Sequence, residues 1–181
     1  QLSLAASSGH ASAQYNLALM YEGGVGCAVD APRAKELYEA AAAQGHAKAM
    51  VNLGSLHDRG FASASVPASS AAAAAAGAAA ALACEMYRQA LEVGGGDVAL
   101  AKYNLSCNLK QGRGVAPDGD AAVELLHEAA MEGVPQAQYN LATYVLRGGG
   151  GGGSGGRAGQ RTARGTALPT PEAAMALLAQ A

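Results

Sequence analysis

The sequence repeats itself with a period of 36 residues. A tripeptide with a central Asn and a final Leu returns four times, as Tyr15-Asn16-Leu17, Val51-Asn52-Leu53, Tyr103-Asn104-Leu105 and Tyr139-Asn140-Leu141. The first two copies are 36 residues apart, as are the last two, and the middle interval holds 16 inserted residues besides. A fixed period of this length is typical of proteins built from stacked units, each of which buries its apolar face against the next. The repeat therefore predicts an array of small units.

Each unit predicts two α-helices. In the second half of a unit, small and apolar residues return at helical spacing, as in Ala34, Leu37, Tyr38, Ala41 and Ala42. Alanine supplies about half of the apolar residues and aromatic residues make up only 4% of the chain. This composition favours helices over strands, because Ala has the highest helix propensity. Asp30, Asp118 and Thr170 stand where a side-chain oxygen caps the second helix, and Thr170 precedes a proline suited to the first helical position.

Glycine pairs predict the turn between the two helices of a unit. Segments 24–26 and 112–114 read Gly-Val-Gly and Gly-Arg-Gly, and each follows its tripeptide at the same distance. Glycine adopts the positive φ that ends a helix without steric cost. We therefore expect the chain to fold back here, so that each unit is an αα-hairpin.

The period divides the chain into one domain of successive units. A partial unit covers residues 1–8, and units follow at 9–44, 45–95, 96–132 and 133–181, the last of which stops before its second helix should finish. Because the first residues match the end of a unit, we expect the chain to be a piece of a longer solenoid or one with weak ends. Two insertions interrupt the array. The alanine-rich one at 62–81 is predicted to lengthen the following helix backward from Ser69 or Ser70, and the glycine-rich one at 148–167 is predicted to be coil.

These motifs resemble the Sel1-like repeat, a 36-residue relative of the tetratricopeptide repeat. The resemblance is carried best by Ala11-Ser12-Ala13-Gln14-Tyr15-Asn16-Leu17 and by Gly112-Arg113-Gly114-Val115-Ala116-Pro117-Asp118. It implies an all-α fold, a right-handed αα superhelix of about four helix-turn-helix repeats. The tetratricopeptide repeat itself is the alternative, but its period is 34 residues and it lacks the glycine-rich turn.

Composition and charge exclude several classes of partner. The net charge is −2 and the sequence pI is about 6.1, which gives no basic surface for nucleic acid. No apolar run approaches the roughly 18 residues of a spanning helix, so we expect no membrane insertion. The cysteines Cys27, Cys84 and Cys107 form no metal-ligand or disulfide pattern, and we expect neither a metal nor a cofactor. Arginines follow the glycine-rich insertion, as they do in RNA-binding tails, but no aromatic residues lie between them. We therefore interpret the insertion as an expanded loop.

The recurring asparagines are the candidate binding residues. Stepping 100° per residue along the first helix places Asn16, Asn52, Asn104 and Asn140 between two packing faces, on a stripe that continues through positions 55, 59, 107, 111, 143 and 147. A carboxamide both donates and accepts, so a ladder of them matches the backbone of an extended peptide. Lys48 and Arg59 would favour an acidic residue nearby. The alternative is structural, with each Asn bonding a neighbouring unit, whereas the repeat tyrosines are predicted to be packing residues.

An enzyme is the competing class of function. Some bacterial relatives of this repeat are linked to β-lactam and cell-wall chemistry, but Ser, Lys and Asn do not form the S-x-x-K and S-D-N motifs of such sites. The histidines at 10, 46, 57 and 127 are scattered, and we predict no catalytic residue. The resemblance implies instead a scaffold or adaptor for a protein or extended peptide, in a ubiquitin-ligase, protein-quality-control or signalling complex. We expect no small-molecule substrate, and we assign no compartment.

Overall fold

The computed structural model describes residues 2–63, 70–95, 98–147 and 165–180. In these residues the regular elements are α-helices, which confirms the predicted all-α fold of helix-turn-helix repeats. Their bounds are α1 (Leu2–Ser7), α2 (Ala11–Gly23), α3 (Ala31–Ala42), α4 (Ala47–Ser63), α5 (Ser70–Val93), α6 (Ala99–Gln111), α7 (Gly119–Met131), α8 (Pro135–Leu146) and α9 (Pro171–Gln180). Among the helices so described, none has the length and apolar character needed to cross a bilayer.

The chain forms two compact units, each of which contains about two repeats. We call Gln1–Ala101 the first unit and Lys102–Ala181 the second unit. In the first unit, consecutive helices from α1 to α5 pack against one another. Their core is built largely on alanine, and its fully buried members include Ala18, Ala34, Tyr38, Ala41 and Ala49. Small side chains at these places let the helices approach closely, so the tyrosine ring is the main bulk between them.

The second unit has a more aliphatic core. Here α8 packs against both α7 and α9, and Leu141 is fully buried at the centre. Val123, Leu126, Val145 and Leu168 surround it together with buried alanines. Branched side chains replace the buried tyrosine of the first unit, and this substitution matters for the site described below.

Side-chain caps begin three of the second helices as the sequence predicts. Asp30 Oδ1 accepts from the backbone N–H of Arg33 at 3.0 Å, and Asp118 Oδ1 accepts from that of Ala121 at 2.9 Å. Thr170 Oγ1 accepts from the N–H of Ala173 at 3.2 Å. Each bond satisfies a donor that the helix itself leaves without a partner.

The predicted glycine turns are confirmed. Gly24 and Gly26 have φ of 68° and 74°, and Gly112 and Gly114 both have φ of 67°. A Cβ on Gly24 would also lie 2.8 Å from Val29 Cγ2. Glycine is therefore required there by both backbone conformation and space.

The alanine-rich insertion extends helix α5, as predicted. This helix has 24 residues and begins at Ser70, while Ser69 and the rest of positions 64–69 lie outside the described residues. Ala74, Ala75 and Ala78 are exposed, whereas Ala83 and Tyr87 near the other end are fully buried. In its described side chains, the tract thus passes from exposed alanines to the fully buried Ala80 where the packed part of the helix begins. Most of the glycine-rich insertion, at 148–164, lies outside the described residues.

The prediction that every repeat tyrosine is a packing residue is wrong for Tyr139. Tyr38 and Tyr87 are fully buried, but Tyr139 is 57% exposed. The ring of Tyr15 is covered because it stacks on His46 at 4.7 Å and lies 5.9 Å from the ring of Tyr38. In the described part of the second unit, Tyr139 has no such ring contact, and it lines a surface groove instead.

Two glycines of α4 give a test of the tight helix packing. A Cβ on Gly54 would lie 2.6 Å from Tyr87 Cε1, whereas one on Gly60 would meet nothing within 4 Å. We expect Gly54→Ala to lower the free energy of unfolding by about 1–3 kcal/mol, because the buried ring has to move. Gly60→Ala should raise it by about 0.5–1 kcal/mol through helix propensity. Urea unfolding measures both, and equal effects of one sign would contradict the packing described.

Candidate functional site

The recurring asparagines do not share one environment. Asn52 Nδ2 donates to Tyr38 Oη at 3.1 Å, and Asn140 Nδ2 donates to Tyr103 Oη at 3.3 Å. Asn16 is exposed and Asn104 is half-buried. The contacts of Asn52 and Asn140 join helices of successive repeats, which supports the structural alternative for these two. Peptide binding by the Asn ladder stays a prediction.

The sequence explains why Asn16 differs from Asn52. Tyr38 precedes the second tripeptide by 13 residues, and the residue at the same distance before Tyr15 is Leu2. Leucine has no hydroxyl, so the partial repeat at residues 1–8 offers Asn16 no phenol with which to form a hydrogen bond. Among the described residues, Asn16 makes no recorded side-chain hydrogen bond.

A carboxylate at the end of α2 joins three helices of the first unit. Tyr38 Oη on α3 donates to Glu22 Oε2 at 2.7 Å, and Arg59 Nη2 on α4 donates to Glu22 Oε1 at 2.5 Å. With the bond from Asn52 to Tyr38, these groups form a continuous chain, which we call the Glu22 network. Arg59 is thus already paired with an acid of its own unit. Its predicted role beside a bound peptide is not tested by this contact.

Electrostatics stabilise the Glu22 network. Partial burial by itself raises the pKa of Glu22, but the hydrogen bonds from Arg59 and Tyr38 outweigh it and hold the pKa below its ordinary value of 4.5. Burial raises the pKa of Tyr38 strongly, and the bond to Glu22 raises it further, so the phenol remains a donor. Glu22 is therefore ionised, and it accepts from both partners at neutral pH.

The sequence contains a feature that could have predicted this network, an acidic residue at one place of the first two repeats. Glu22 lies seven residues after Tyr15, and Asp58 lies seven residues after Val51. Asp58 Oδ2 accepts from Tyr87 Oη at 2.8 Å, as Glu22 accepts from Tyr38. An acid at this place, with a tyrosine in the second helix, links the two helices of a repeat. The residue at this place in the third repeat is Lys110.

Lys48, the other predicted cationic contact, is exposed on α4. Within residues 2–63 and 70–95 it takes part in no recorded ion pair. Its proposed role beside an acidic peptide residue stays a prediction.

The second unit contains a groove between α6 and α8. Its volume is about 530 Å³, and it is lined by Cys107, Lys110, Gln111, Tyr139, Asn140, Thr143, Tyr144 and Arg147. Positions 107, 111, 140, 143 and 147 belong to the stripe predicted from the helical spacing. The structure therefore brings these stripe residues together, and it adds the cation Lys110 that sequence reasoning missed.

A smaller cavity of about 220 Å³ adjoins this groove beside α7. It shares Cys107, Lys110, Asn140 and Tyr144 with the groove. Leu126 and Val123 form an apolar wall, and Asp120 from the first turn of α7 also lines it. Burial raises the pKa of Tyr103, whose hydroxyl the Cys107 thiol also contacts. The tyrosine is thus a neutral hydrogen-bonding group at neutral pH.

His46 has a structural role. It stacks on Tyr15, and its Nδ1 accepts from the backbone N–H of Ala49 at 3.2 Å, at the start of α4. Burial lowers the pKa of His46 and that of His57. His10 is exposed. In the part of the chain that the structure describes, no three His, Cys, Asp or Glu side chains come together as metal ligands.

Known proteins resemble both the sequence and the fold. A family model described as the Sel1 repeat matches residues 11–46, 47–75, 99–134 and 135–154. The second and fourth matches end inside the two insertions. Comparison with curated proteins gives no match.

Two solved structures are similar to this chain. The crystal structure of a Sel1 repeat protein from Oxalobacter formigenes is 31% identical with a TM-score of 0.61, over 80% of this chain and 54% of that one. The crystal structure of c5321, a protective antigen present in uropathogenic Escherichia coli strains displaying an SLR fold, is 26% identical with a TM-score of 0.41, over 81% of this chain and 36% of that one. The chain thus spans about half the length of the first protein and about a third of the second.

Because Asn52 and Asn16 lie in different environments, we predict that replacing each by Ala changes the stability of the protein by a different amount. We expect Asn52→Ala to lower the free energy of unfolding by about 0.5–1.5 kcal/mol, because the hydrogen bond to Tyr38 is lost. Asn16→Ala, at an exposed place, should change it by less than about 0.5 kcal/mol. Thermal melting of the two variants beside the parent protein measures the difference. Equal shifts would show that the bond to Tyr38 does not stabilise the stacking of repeats.

The Glu22 network predicts acid-sensitive stability. Because the folded protein lowers the pKa of Glu22, its stabilisation is complete above the ordinary value of 4.5 and is lost as the pH falls through the lowered pKa. Glu22→Gln should cost about 1 kcal/mol at pH 7, and the difference from the parent should shrink towards pH 3. Urea unfolding between pH 3 and 7 measures this, with Glu36→Gln on the exposed face of α3 as control. A pH-independent difference would contradict the ionised network.

Proposed function

The chain belongs to the Sel1-repeat family, and from that premise we propose that it is a non-catalytic scaffold that binds a segment of a partner protein. Folds of this family are commonly protein-interaction scaffolds. The proposed binding surface is the exposed side of the first helices, which carries the Asn stripe. We propose the ubiquitin-ligase, protein-quality-control and signalling complexes that the family resemblance implies as the settings in which this surface acts.

The groove between α6 and α8 is the observation that carries this proposal. Its walls combine two tyrosines, two carboxamides and two cations. Aromatic side chains supply contact area to a bound chain, and polar groups fix its orientation. An open groove between two helices suits an extended segment better than a compact substrate.

The placement of the groove on the first helices supports the same proposal. In an array of this kind, each repeat contacts its neighbours. Stripe residues recur once per repeat, so each repeat offers similar side chains to a partner segment. Asn16, Asn52, Asn104 and Asn140 are the proposed backbone contacts, with Asn52 and Asn140 also serving the stacking of repeats.

The enzyme alternative has less support. His46 is used for ring stacking and for the start of α4, and the carboxylates Glu22 and Asp58 are held by tyrosines within their own repeats. These are the groups that a hydrolytic site would need as base or acid. We propose no reaction for this chain.

The groove predicts that peptide binding depends on Thr143. The probe is a phage-displayed library of random 12-residue peptides, and the enriched sequences are then synthesised and measured by fluorescence anisotropy. Thr143→Tyr fills the groove with an uncharged ring, so we expect at least a fivefold loss of affinity. Met175→Tyr, at a site 56% exposed on α9, is the matched control and should leave binding unchanged. Peptides that bind both variants like the parent would place the binding surface elsewhere.

A further inference from the structure

The first pair of repeats and the second pair match in sequence at a shift of 88 residues. This shift carries Tyr15 to Tyr103, Asn52 to Asn140 and Arg59 to Arg147, so three members of the site keep their residue type. It also carries Glu22 to Lys110 and Tyr38 to Leu126. The two residues that change are the carboxylate and the phenol at the centre of the Glu22 network.

In the first unit, the network is complete within the protein. Glu22 accepts from Arg59 and from Tyr38, and Tyr38 accepts from Asn52. The negative charge of the carboxylate faces the guanidinium, and the hydrogen bonds run without a break from Arg59 to Asn52. This site therefore has no need of an external acid.

In the second unit, the equivalent place lacks both the acid and the phenol. Lys110 and Arg147 line one groove, and within residues 98–147 and 165–180 no carboxylate forms a recorded ion pair with either. The cavity of about 220 Å³ lies among the replacing residues, since Lys110, Leu126 and Asn140 all line it. The cavity thus presents the cation Lys110 and the carboxamide of Asn140, and the adjoining groove adds the cation Arg147.

We propose that this cavity and the adjoining groove receive an acidic side chain, Asp or Glu, of the partner segment. The ligand carboxylate supplies the negative charge that Glu22 supplies in the first unit, and it meets Lys110 and Arg147. This inference rests on the proposed function, and it names the partner residue that the groove selects. We call this place the acid-receiving site.

The chemistry of the walls favours a carboxylate. Arginine binds the two oxygens of a carboxylate with parallel hydrogen bonds, and lysine adds a point charge. Leu126 and Val123 give the methylene stem of the side chain an apolar wall. A cavity on the order of 150 Å³ holds a benzene-sized group, so the space at this site is sufficient for Glu. Asp120 also lines the cavity, and its negative charge disfavours a doubly charged phosphate more than a singly charged carboxylate.

The test uses peptides without terminal charges. The full chain is offered libraries of acetylated, amidated octapeptides in which one position at a time is fixed as Glu, Gln or Lys, and bound peptides are quantified by mass spectrometry. We expect Glu to be enriched at least fivefold over Gln at one position, and this preference to weaken when salt is raised from 50 to 500 mM. Lys110→Gln should abolish the preference, Lys110→Arg should retain it, and Arg88→Gln on α5 should leave it unchanged.

A second variant rebuilds the first unit's network in the second unit. The double substitution Lys110→Glu with Leu126→Tyr supplies the missing carboxylate and phenol beside Arg147 and Asn140. We expect this protein to lose the preference for Glu and to melt at a temperature no lower than that of the parent. A marked fall in the melting temperature would contradict the equivalence of the two sites on which the inference depends.

The outcomes separate this inference from the proposed function. If Glu and Gln peptides bind equally and Thr143→Tyr still weakens both, the groove binds peptides and the acid-receiving site is refuted alone. If copies of the peptides with a free C-terminus bind and the amidated ones do not, the ligand group is the terminal carboxylate and the inference is likewise overturned. If the parent protein retains neither amidated nor free peptides, the proposed function itself fails.

Discussion

Close approach of helices over alanine is the constraint on which the rest of this structure depends. More than half of the buried apolar residues in the described part of the chain are alanines, among them Ala18, Ala34, Ala41 and Ala83. Short side chains bury little area each, so stability has to come from many such contacts and from a few large groups between them. Tyr38 and Tyr87 are those groups in the first unit. Their hydroxyls then need partners, and the acids Glu22 on α2 and Asp58 on α4 supply them.

Residues that recur at a fixed period could be predicted from the sequence, and those that vary between repeats could not. The caps Asp30 and Asp118 stand at one place in two units, and the glycine turns recur likewise, so their roles were readable from position alone. The extension of α5 followed from the helix propensity of alanine. The role of Glu22 was missed because its place holds Glu, Asp, Lys and Leu in the four repeats. Variation of this kind looks like a solvated position until the partner on the other helix is known.

The candidate site was predicted in outline only. The 100° spacing identified the stripe whose members line the groove of the second unit, because helix geometry alone fixes which side chains share a face. The same spacing did not separate Asn16, which is exposed, from Asn52, which bonds Tyr38, since the difference lies in the preceding unit. The helical spacing also did not predict that Lys110 lines the groove. A repeat protein can thus keep its fold through the constant places while it changes its surface chemistry at the variable ones.

The alanine tract at the start of α5 has a consequence for how the length of this protein changes in evolution. Runs of a single residue are places where chain length changes readily, and here such a run forms the outer end of a helix whose other end is fixed by Ala83 and Tyr87. An alanine gained or lost near Ser70 moves that end by about 1.5 Å and leaves the packed turns in register. The same change between Ala83 and Tyr87 would rotate the buried face by about 100° and detach it from α4. Natural length variants should therefore accumulate at one end of this helix and be absent from the other.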